Sequence, residues 1–252
     1  MPLLVNADDF GKSAEINRAV AEAFERGYIT HTTLMANMPA AEEAADLARQ
    51  KGFAERVGLH LNLTEGLPLS LPIRGNPLIC STDGSFNQAF YHTTRYRLYM
   101  DSLAINQIAE EFAAQLKRYL EFGFTELHID SHHHVHTNYP VYLALKSLKS
   151  EYDFSYIRPS RNLYRGGNIL NRIYKLCYNR GIKKICRNTS ELFGSYSDFM
   201  SFTGGEQEKA LALVKEKKIE IMVHPMYREG VLSDTELPME EEELLISLLK
   251  EN

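Results

Sequence analysis

An α/β fold built on a parallel sheet is what this sequence predicts, and three observations carry the prediction. Short apolar runs rich in β-branched residues recur along the chain, helix-period apolar patterns separate them, and the alternation repeats at intervals of roughly 25–35 residues. The six runs are LLVNAD (3–8), TTLMAN (32–37), VGLHLNL (57–63), ELHID (126–130), FSYIRP (154–159) and EIMVHP (220–225). Each is short and apolar enough to be a buried strand. A series of this kind either closes into a barrel or stays open and doubly wound.

The helices between the strands follow from periodicity and end signals. Ile16, Ala19, Val20, Ala23 and Phe24 keep one face of a first helix apolar, and Gly27 stops it. Pro39 suits the first turn of a second helix ending near Gly52. Asp101 or Ser102 caps a longer third helix, whose apolar face is Ile105, Ile108, Phe112, Leu116, Tyr119 and Leu120 and whose stop is Gly123. Leu211 with Val214, and Leu244, Leu245, Leu248 and Leu249, mark two more. Two stretches break the rhythm. Residues 64–100 are rich in Gly, Pro and Ser and form a long excursion after the third strand, expected to close over a site or to meet a neighbouring subunit. Residues 154–190 hold nine Lys and Arg and no Asp or Glu. With no internal repeat and no low-complexity linker, the whole chain, 1–252, is expected to be one domain with long βα-loops.

Composition narrows the function classes. A hydrophobic content of 44% and a charged content of 24% are those of an ordinary globular protein, and a net charge of −5 gives no general pull toward nucleic acid or membrane. No apolar run approaches the roughly 20 residues that span a bilayer. The start, MPLLVNADDFG, lacks the features of a signal peptide, and three cysteines without CxxC spacing read as free thiols, so a cytoplasmic location is expected.

Ionisable residues gather at the strand ends. The first strand ends in Asp8-Asp9, the third carries His60, the fourth ends in Asp130 and runs into His132, the fifth ends at Arg158 and the sixth at His224. In β/α barrels the catalytic groups collect at the C-terminal ends of strands, so five strands delivering such groups point to one rim. Taken singly, each has a plainer reading. Asp9 could cap the next helix, His60 could be a hydrogen-bonded core residue, and Arg158 could be one more surface cation of its basic segment. Two adjacent carboxylates closing a buried strand are costly unless a cation sits beside one of them. Side-chain alternation would send Asp8 and Asp9 different ways unless the strand ends there. LHIDSHHHVH (127–136) supplies five histidines, more than one small site needs. His132 and His136, four apart, would meet on one face of a helical turn, whereas His133 and His134 are expected to be structural. Asp130 has the chemistry to accept the second N–H of a ligating imidazole.

VNADDFG, GLHLNLTEG, LHIDSHHHVH and VHPMY occur in the order and spacing of the YdjC-like carbohydrate deacetylases, which include the chitooligosaccharide deacetylases, and the chain resembles that family from residue 3 to about residue 227. The resemblance implies a distorted (β/α) TIM-like barrel, a bound divalent metal and hydrolysis of an N-acetyl group on a sugar. Carried over by position, Asp9, His60 and His132 become metal ligands, with Asp130 and His136 supporting His132. Asp8 becomes the base and His224 the acid, and Arg158 is expected to pair with Asp8 and keep it ionised. His132 with His136 is the nearest thing to the paired histidines of the wider polysaccharide deacetylases, which leaves His136 as the rival third ligand. The metal implied is Mg2+, although two imidazoles suit Zn2+, Mn2+ or Co2+ better on ligand softness. The expected partner is an acetylated sugar, with a homodimer as an open option and neither nucleic acid nor membrane. Three other readings stand beside this one: a metal-dependent phosphoesterase using the basic segment, a non-haem iron oxygenase using a two-His, one-carboxylate triad, and a nucleic-acid-binding protein.

Overall fold

The computed structural model describes residues 3–163, 166, 168–235 and 237–251. Strands β1 (Leu3–Phe10), β2 (His31–Leu34), β3 (Val57–Leu61), β4 (His128–Ser131), β5 (Tyr156–Ile157), β6 (Leu192–Ser195) and β7 (Ile219–Val223) form one sheet in the order β5-β4-β3-β2-β1-β7-β6. Every neighbouring pair in it is parallel. The sheet is curled, with helices around it, so the predicted distorted β/α barrel is what the chain forms. A smaller antiparallel sheet, β8 (Pro225–Arg228), β9 (Val231–Asp234) and β10 (Leu237–Pro238), follows it.

The distortion has a local cause. Strand β5 is only two residues long, and Pro159 just beyond it has no N–H to continue a ladder. The sheet edges β5 and β6 therefore meet through irregular chain. Asn162 and Leu163 both donate their N–H to the Phe193 carbonyl at 3.0 Å, and Asn188 runs beside Tyr156. All six predicted strands are present. Strand β6 was not predicted: LFGS is four residues with a glycine and carries too little pattern to stand out.

The helices are α1 (Ala14–Glu25), α2 (Ala41–Gln50), α3 (Ala89–His92), α4 (Ser102–Glu121), α5 (Tyr139–Ser147), α6 (Ile169–Ile182), α7 (Tyr196–Thr203), α8 (Gln207–Glu216) and α9 (Glu243–Glu251). Ser13 caps α1, its hydroxyl accepting from the Ile16 N–H at 3.3 Å, so Asp9 is free of that duty. Asp101 caps α4 by accepting from Ala104 N–H at 2.7 Å. The buried face of α4 differs from the predicted one, because Leu120 turns outward while Glu111 and Gln115 are fully buried. These two hold the 64–100 excursion down. Glu111 accepts from the Leu69 and Ser70 N–H groups at 3.1 and 2.7 Å, and Gln115 exchanges two bonds with the Asn62 backbone. The excursion also buries Ile73, Ile79, Phe86 and Phe90. It is a packed wall of the barrel mouth.

In the basic segment, Arg158 is fully buried, Arg161 pairs with Asp198 and Arg187 with Asp153. Tyr164 and Arg165 lie outside the described residues. Among the described residues, no helix is long and apolar enough to cross a membrane.

Two predictions concern the scaffold. Gly11 has φ +88°, and a Cβ built there would lie 2.8 Å from Leu34 Cδ1 and 3.2 Å from Ala41 Cα. Gly11→Ala should destabilise the protein by about 1–3 kcal/mol through backbone strain and crowding, read as a lower urea midpoint with an unchanged slope. Glu242, buried just before α9, is pushed up to about 8 by burial, with the Asp234 charge adding to it. The unfolded carboxyl loses its proton near its ordinary 4.5, whereas the folded one keeps it to about 8. Between these values the unfolded state binds fewer protons, so this group makes stability fall as pH rises. Glu242→Gln should remove that part of the fall, and a melting temperature that tracks the wild type from pH 5 to pH 9 would contradict it.

Candidate active site

A strand shows alternate residues to one face, and the polar residues of these strands share one parity. Asn6 and Asp8 on β1, His60 on β3, Asp130 on β4 and Glu220 on β7 all sit on the inner face, where Thr33 of β2 joins them. Arg158, just past β5, is fully buried at their centre. Its Nη1 and Nη2 donate to Asp8 Oδ2 and Oδ1 at 2.7 Å each, Nη2 also lies 2.7 Å from Asp130 Oδ2, and Nε donates to Glu220 Oε1 at 2.5 Å. One guanidinium thus touches carboxylates from β1, β4 and β7, which only a concave face permits. Its planar fork suits this use, and it also lies 4.8 Å above the Phe193 ring.

The charges follow from these contacts. Burial opposes ionisation of Asp8, but Arg158 outweighs it and holds the carboxyl well below the usual range. Asp130 is likewise lowered by Arg158 and His60 against its burial. Glu220 is pushed up to about 6, because burial there exceeds what Arg158 and Tyr156 return. The Tyr156 hydroxyl donates to Glu220 Oε2 at 2.5 Å, so both Glu220 oxygens are held.

Asp9 reaches the same rim by a different device. The β1–β2 register shifts between Ala7 and Phe10, and Asp9 adopts φ +66°, the left-handed region that costs a non-glycine residue about 1–2 kcal/mol. The irregularity takes Asp9 out of the simple alternation and brings it beside His60 and His132, while Asp8 stays with Arg158. The sequence expectation of divergence at a plain strand end missed this bulge. Asp9 Oδ1 lies 2.7 Å from His132 Nδ1 and 3.4 Å from His60 Nε2, yet it is buried without a hydrogen-bonding partner among the described residues. His132 Nε2 lies 3.0 Å from Glu65 Oε1 and is similarly unpartnered. Donor atoms crowded together without hydrogen-bond geometry are what a small set of metal ligands looks like. Asp9, His60 and His132 each present a donor atom within 4.8 Å of the others, and Glu65, His132, His133 and Asp8, His60, Asp130 form two further such groups.

The electrostatics agree. Burial works against charging His60, but Asp130 and the other carboxylates raise it to about 10, so the site draws in positive charge. Asp9 is held well below the usual carboxylate range by His132 and His60 despite its burial.

The histidine run resolves differently from the expected helical turn. His133 and His134 both have left-handed backbones, φ 52° and 54°, which reverse the chain, so His132 and His136 do not share a face. His136 Nδ1 lies 2.5 Å from Ser131 Oγ, and Nε2 lies 3.1 Å from the Arg158 carbonyl. Both ring nitrogens are occupied, and His136 supports the Arg158 backbone rather than His132. Asp130 accepts from His60 Nδ1 at 2.7 Å, so it orients His60, where the sequence reading gave it to His132. His133 bonds Thr64 Oγ1 at 3.0 Å and stacks on Tyr91, which fixes the excursion to the mouth. His128 faces the other end of the strands.

His224 is half-buried at the end of β7, with Nε2 4.0 Å from Asp8 Oδ2 and Nδ1 4.0 Å from Asp234 Oδ1. The Asp234 carboxylate accepts the His224 N–H at 2.7 Å. The sequence reading did not single out Glu65, Glu220 or Asp234. Glu220 had a signal: it precedes His224 by four in a buried strand and so shares its face. Glu65, five residues after His60 and paired with Lys12 at 2.9 Å, had a weaker one. Asp234 comes in from the small sheet, which no pattern announced.

The chain matches the YdjC-like protein family over residues 2–247. It is 32% identical over 234 residues to a carbohydrate deacetylase of Halalkalibacterium halodurans, spanning 92% of this chain and 88% of that one. To a chitooligosaccharide deacetylase of Klebsiella pneumoniae it is 31% identical over 234 residues, covering 91% and 83% of the two chains. A solved structure from Enterococcus faecalis V583, named for cellobiose-phosphate cleavage, superposes with a TM-score of 0.66 over 98% of this chain and 89% of that one at 24% identity, a likeness of fold.

Proposed function

The chain belongs to the YdjC-like protein family, and from that premise we propose that it is a carbohydrate deacetylase hydrolysing the acetamide of N-acetylated sugars or chitooligosaccharides. One observation carries the reading. A donor group of one carboxylate and two imidazoles (Asp9, His60, His132) stands at the same rim as an ionised carboxylate locked to a buried guanidinium, Asp8 with Arg158.

Asp9, His60 and His132 would hold a divalent metal, and the orphaned Asp9 Oδ1 among two ring nitrogens fits that use. Such an ion, when bound, supplies a Lewis acid and makes water more acidic. Mg2+ is the ion of the family resemblance; two imidazoles favour Zn2+, Mn2+ or Co2+. Asp130 keeps His60 in the tautomer with Nε2 facing Asp9, a common support for a ligating imidazole.

Asp8 is the proposed base. Its Oδ1 accepts from Arg158 and Asn6, whereas Oδ2 accepts from Arg158 alone among the described residues. The lone pair left for a water's proton is therefore on Oδ2, the oxygen 4.0 Å from His224 Nε2. The water oxygen bonds to the acetyl carbon, the C–N bond breaks, and the amine leaves with a proton that His224 supplies. An imidazole can donate that proton as a general acid, and Asp234 fixes the strand end that carries it by accepting the His224 backbone N–H. Acetate and a free amino sugar are the products.

The reading is tested by incubating the protein with N-acetylglucosamine, its β-1,4 disaccharide and trisaccharide, and assaying acetate and primary amine together. Equal release of both from at least one sugar, abolished by a chelator and restored by a divalent metal, is expected. Failure of every N-acetylated sugar in the presence of metal would overturn it.

A further inference from the structure

The turn that follows β1 carries a cation back over Asp9. The Lys12 N–H donates to the Asp9 carbonyl at 3.1 Å, and the left-handed backbones of Asp9 and Gly11 fold the chain tightly there. The Lys12 ammonium consequently stands 3.6 Å from Asp9 Oδ2. Glu65 holds it from the other side, with Oε2 at 2.9 Å and Oε1 at 3.2 Å from Nζ. Glu65 is itself placed through its backbone: its N–H donates to Asn62 Oδ1 at 3.2 Å, and its carbonyl accepts from Asn62 Nδ2 at 2.7 Å.

The two oxygens of Asp9 are thereby divided. Oδ1 faces His132 Nδ1 at 2.7 Å and His60 Nε2 at 3.4 Å, whereas Oδ2 faces Lys12. Each of the adjacent carboxylates has its own cation, Arg158 for Asp8 and Lys12 for Asp9, but the two cations act differently. Arg158 is fully buried and grips Asp8 with two hydrogen bonds, as a fixed fork. Lys12 is a point charge with its side chain 28% exposed, and its 3.6 Å to Asp9 is beyond hydrogen-bonding distance.

Charge, rather than a fixed geometry, is therefore what Lys12 brings to Asp9. A divalent ion among Asp9, His60 and His132 would meet a like charge beside its one carboxylate ligand, and like charges that close repel even in a partly exposed site. The ammonium also neutralises part of the carboxylate charge that draws the ion in. Its own partner, Glu65, keeps it there rather than in solvent. We propose, on the reading that these three residues hold a divalent ion, that Lys12 restrains the affinity of the rim for that ion.

Isothermal titration of the chelator-stripped full chain with Co2+ alone, at one pH and low salt, reads the effect. Lys12→Met should bind Co2+ about 10–100-fold more tightly than the wild type, a change of the size associated with altering residues behind metal ligands. Lys12→Arg keeps the charge and should stay within about three-fold of the wild type. Lys51→Met removes a lysine paired with Glu25 elsewhere on the surface and should leave the affinity unchanged, which separates a local charge effect from an overall one. Equal or weaker binding by Lys12→Met, beside a wild type that binds the ion, would overturn the proposal and leave the metal reading standing. So would tightening of the same size in Lys12→Arg or Lys51→Met. A wild type that takes up no Co2+ would overturn the metal reading itself, and this proposal with it.

Discussion

Asp8→Asn is expected to lower kcat by about 10²–10⁴-fold with metal content unchanged, the size of effect associated with losing a general base. Asn keeps the volume and one acceptor oxygen, so water can still be positioned but its proton has nowhere to go. Asp9→Asn should do the opposite: metal affinity falls, and excess metal partly restores the rate. The neighbouring carboxylates are separated by the β1 irregularity, which leaves one on the guanidinium and the other between two imidazoles. Asn also tolerates the left-handed backbone found at Asp9, so this variant should fold. Loss of metal in Asp8→Asn with retention in Asp9→Asn would mean the roles are exchanged. Normal turnover in Asp8→Asn would move the base elsewhere, with His224 first to be examined.

Arg158→Met should be the most damaging single change to the scaffold. It leaves Asp8, Asp130 and Glu220 buried together without their shared cation. Breaking a buried ion pair by removing one partner costs about 3–5 kcal/mol. In the wild type Asp8 and Asp130 are held below the ordinary carboxylate range, so their contribution is present above the unfolded value and is lost only in strong acid. Without Arg158 burial prevails and both rise. The deficit of the variant should then be greatest near pH 7–8 and shrink toward pH 4, where the carboxyls take up protons. Arg158→Lys keeps the charge but not the fork, and should recover much of the stability while turnover stays low. Denaturation midpoints across pH decide the matter, and a deficit that is constant or grows in acid would contradict this account. Glu220→Gln should be mild by comparison, since Glu220 is already raised to about 6.

The strands were legible because each is a short apolar run, and the rim was legible because strands of like parity end in ionisable residues. What sequence could not supply were departures from regular geometry. The bulge at Asp9 and the paired left-handed residues His133 and His134 decide which side chains converge, and neither involves a glycine that would have advertised it. Periodicity assumed a helical turn through 132–136 and so joined His136 to His132. Sequence order joins Asp130 to the His132 that follows it, yet parallel pairing places it directly beside His60 on the next strand. The sequence does point to Arg158 pairing with Asp8, as it is found, but its further contacts with Asp130 and Glu220 depend on the curl of the sheet.

The claim on which the rest depends is that Asp9, His60 and His132, from three strand ends, hold one metal ion. Elemental analysis of the purified protein after saturation with metal and removal of the excess tests it most directly, with folding of each variant checked by circular dichroism. The account predicts about one ion per chain in the wild type, a near-complete loss in His60→Ala and in His132→Ala, and full occupancy in His136→Ala, whose ring nitrogens are taken by Ser131 and the Arg158 carbonyl. Full occupancy in both His60→Ala and His132→Ala, or loss of the ion in His136→Ala alone, would contradict it.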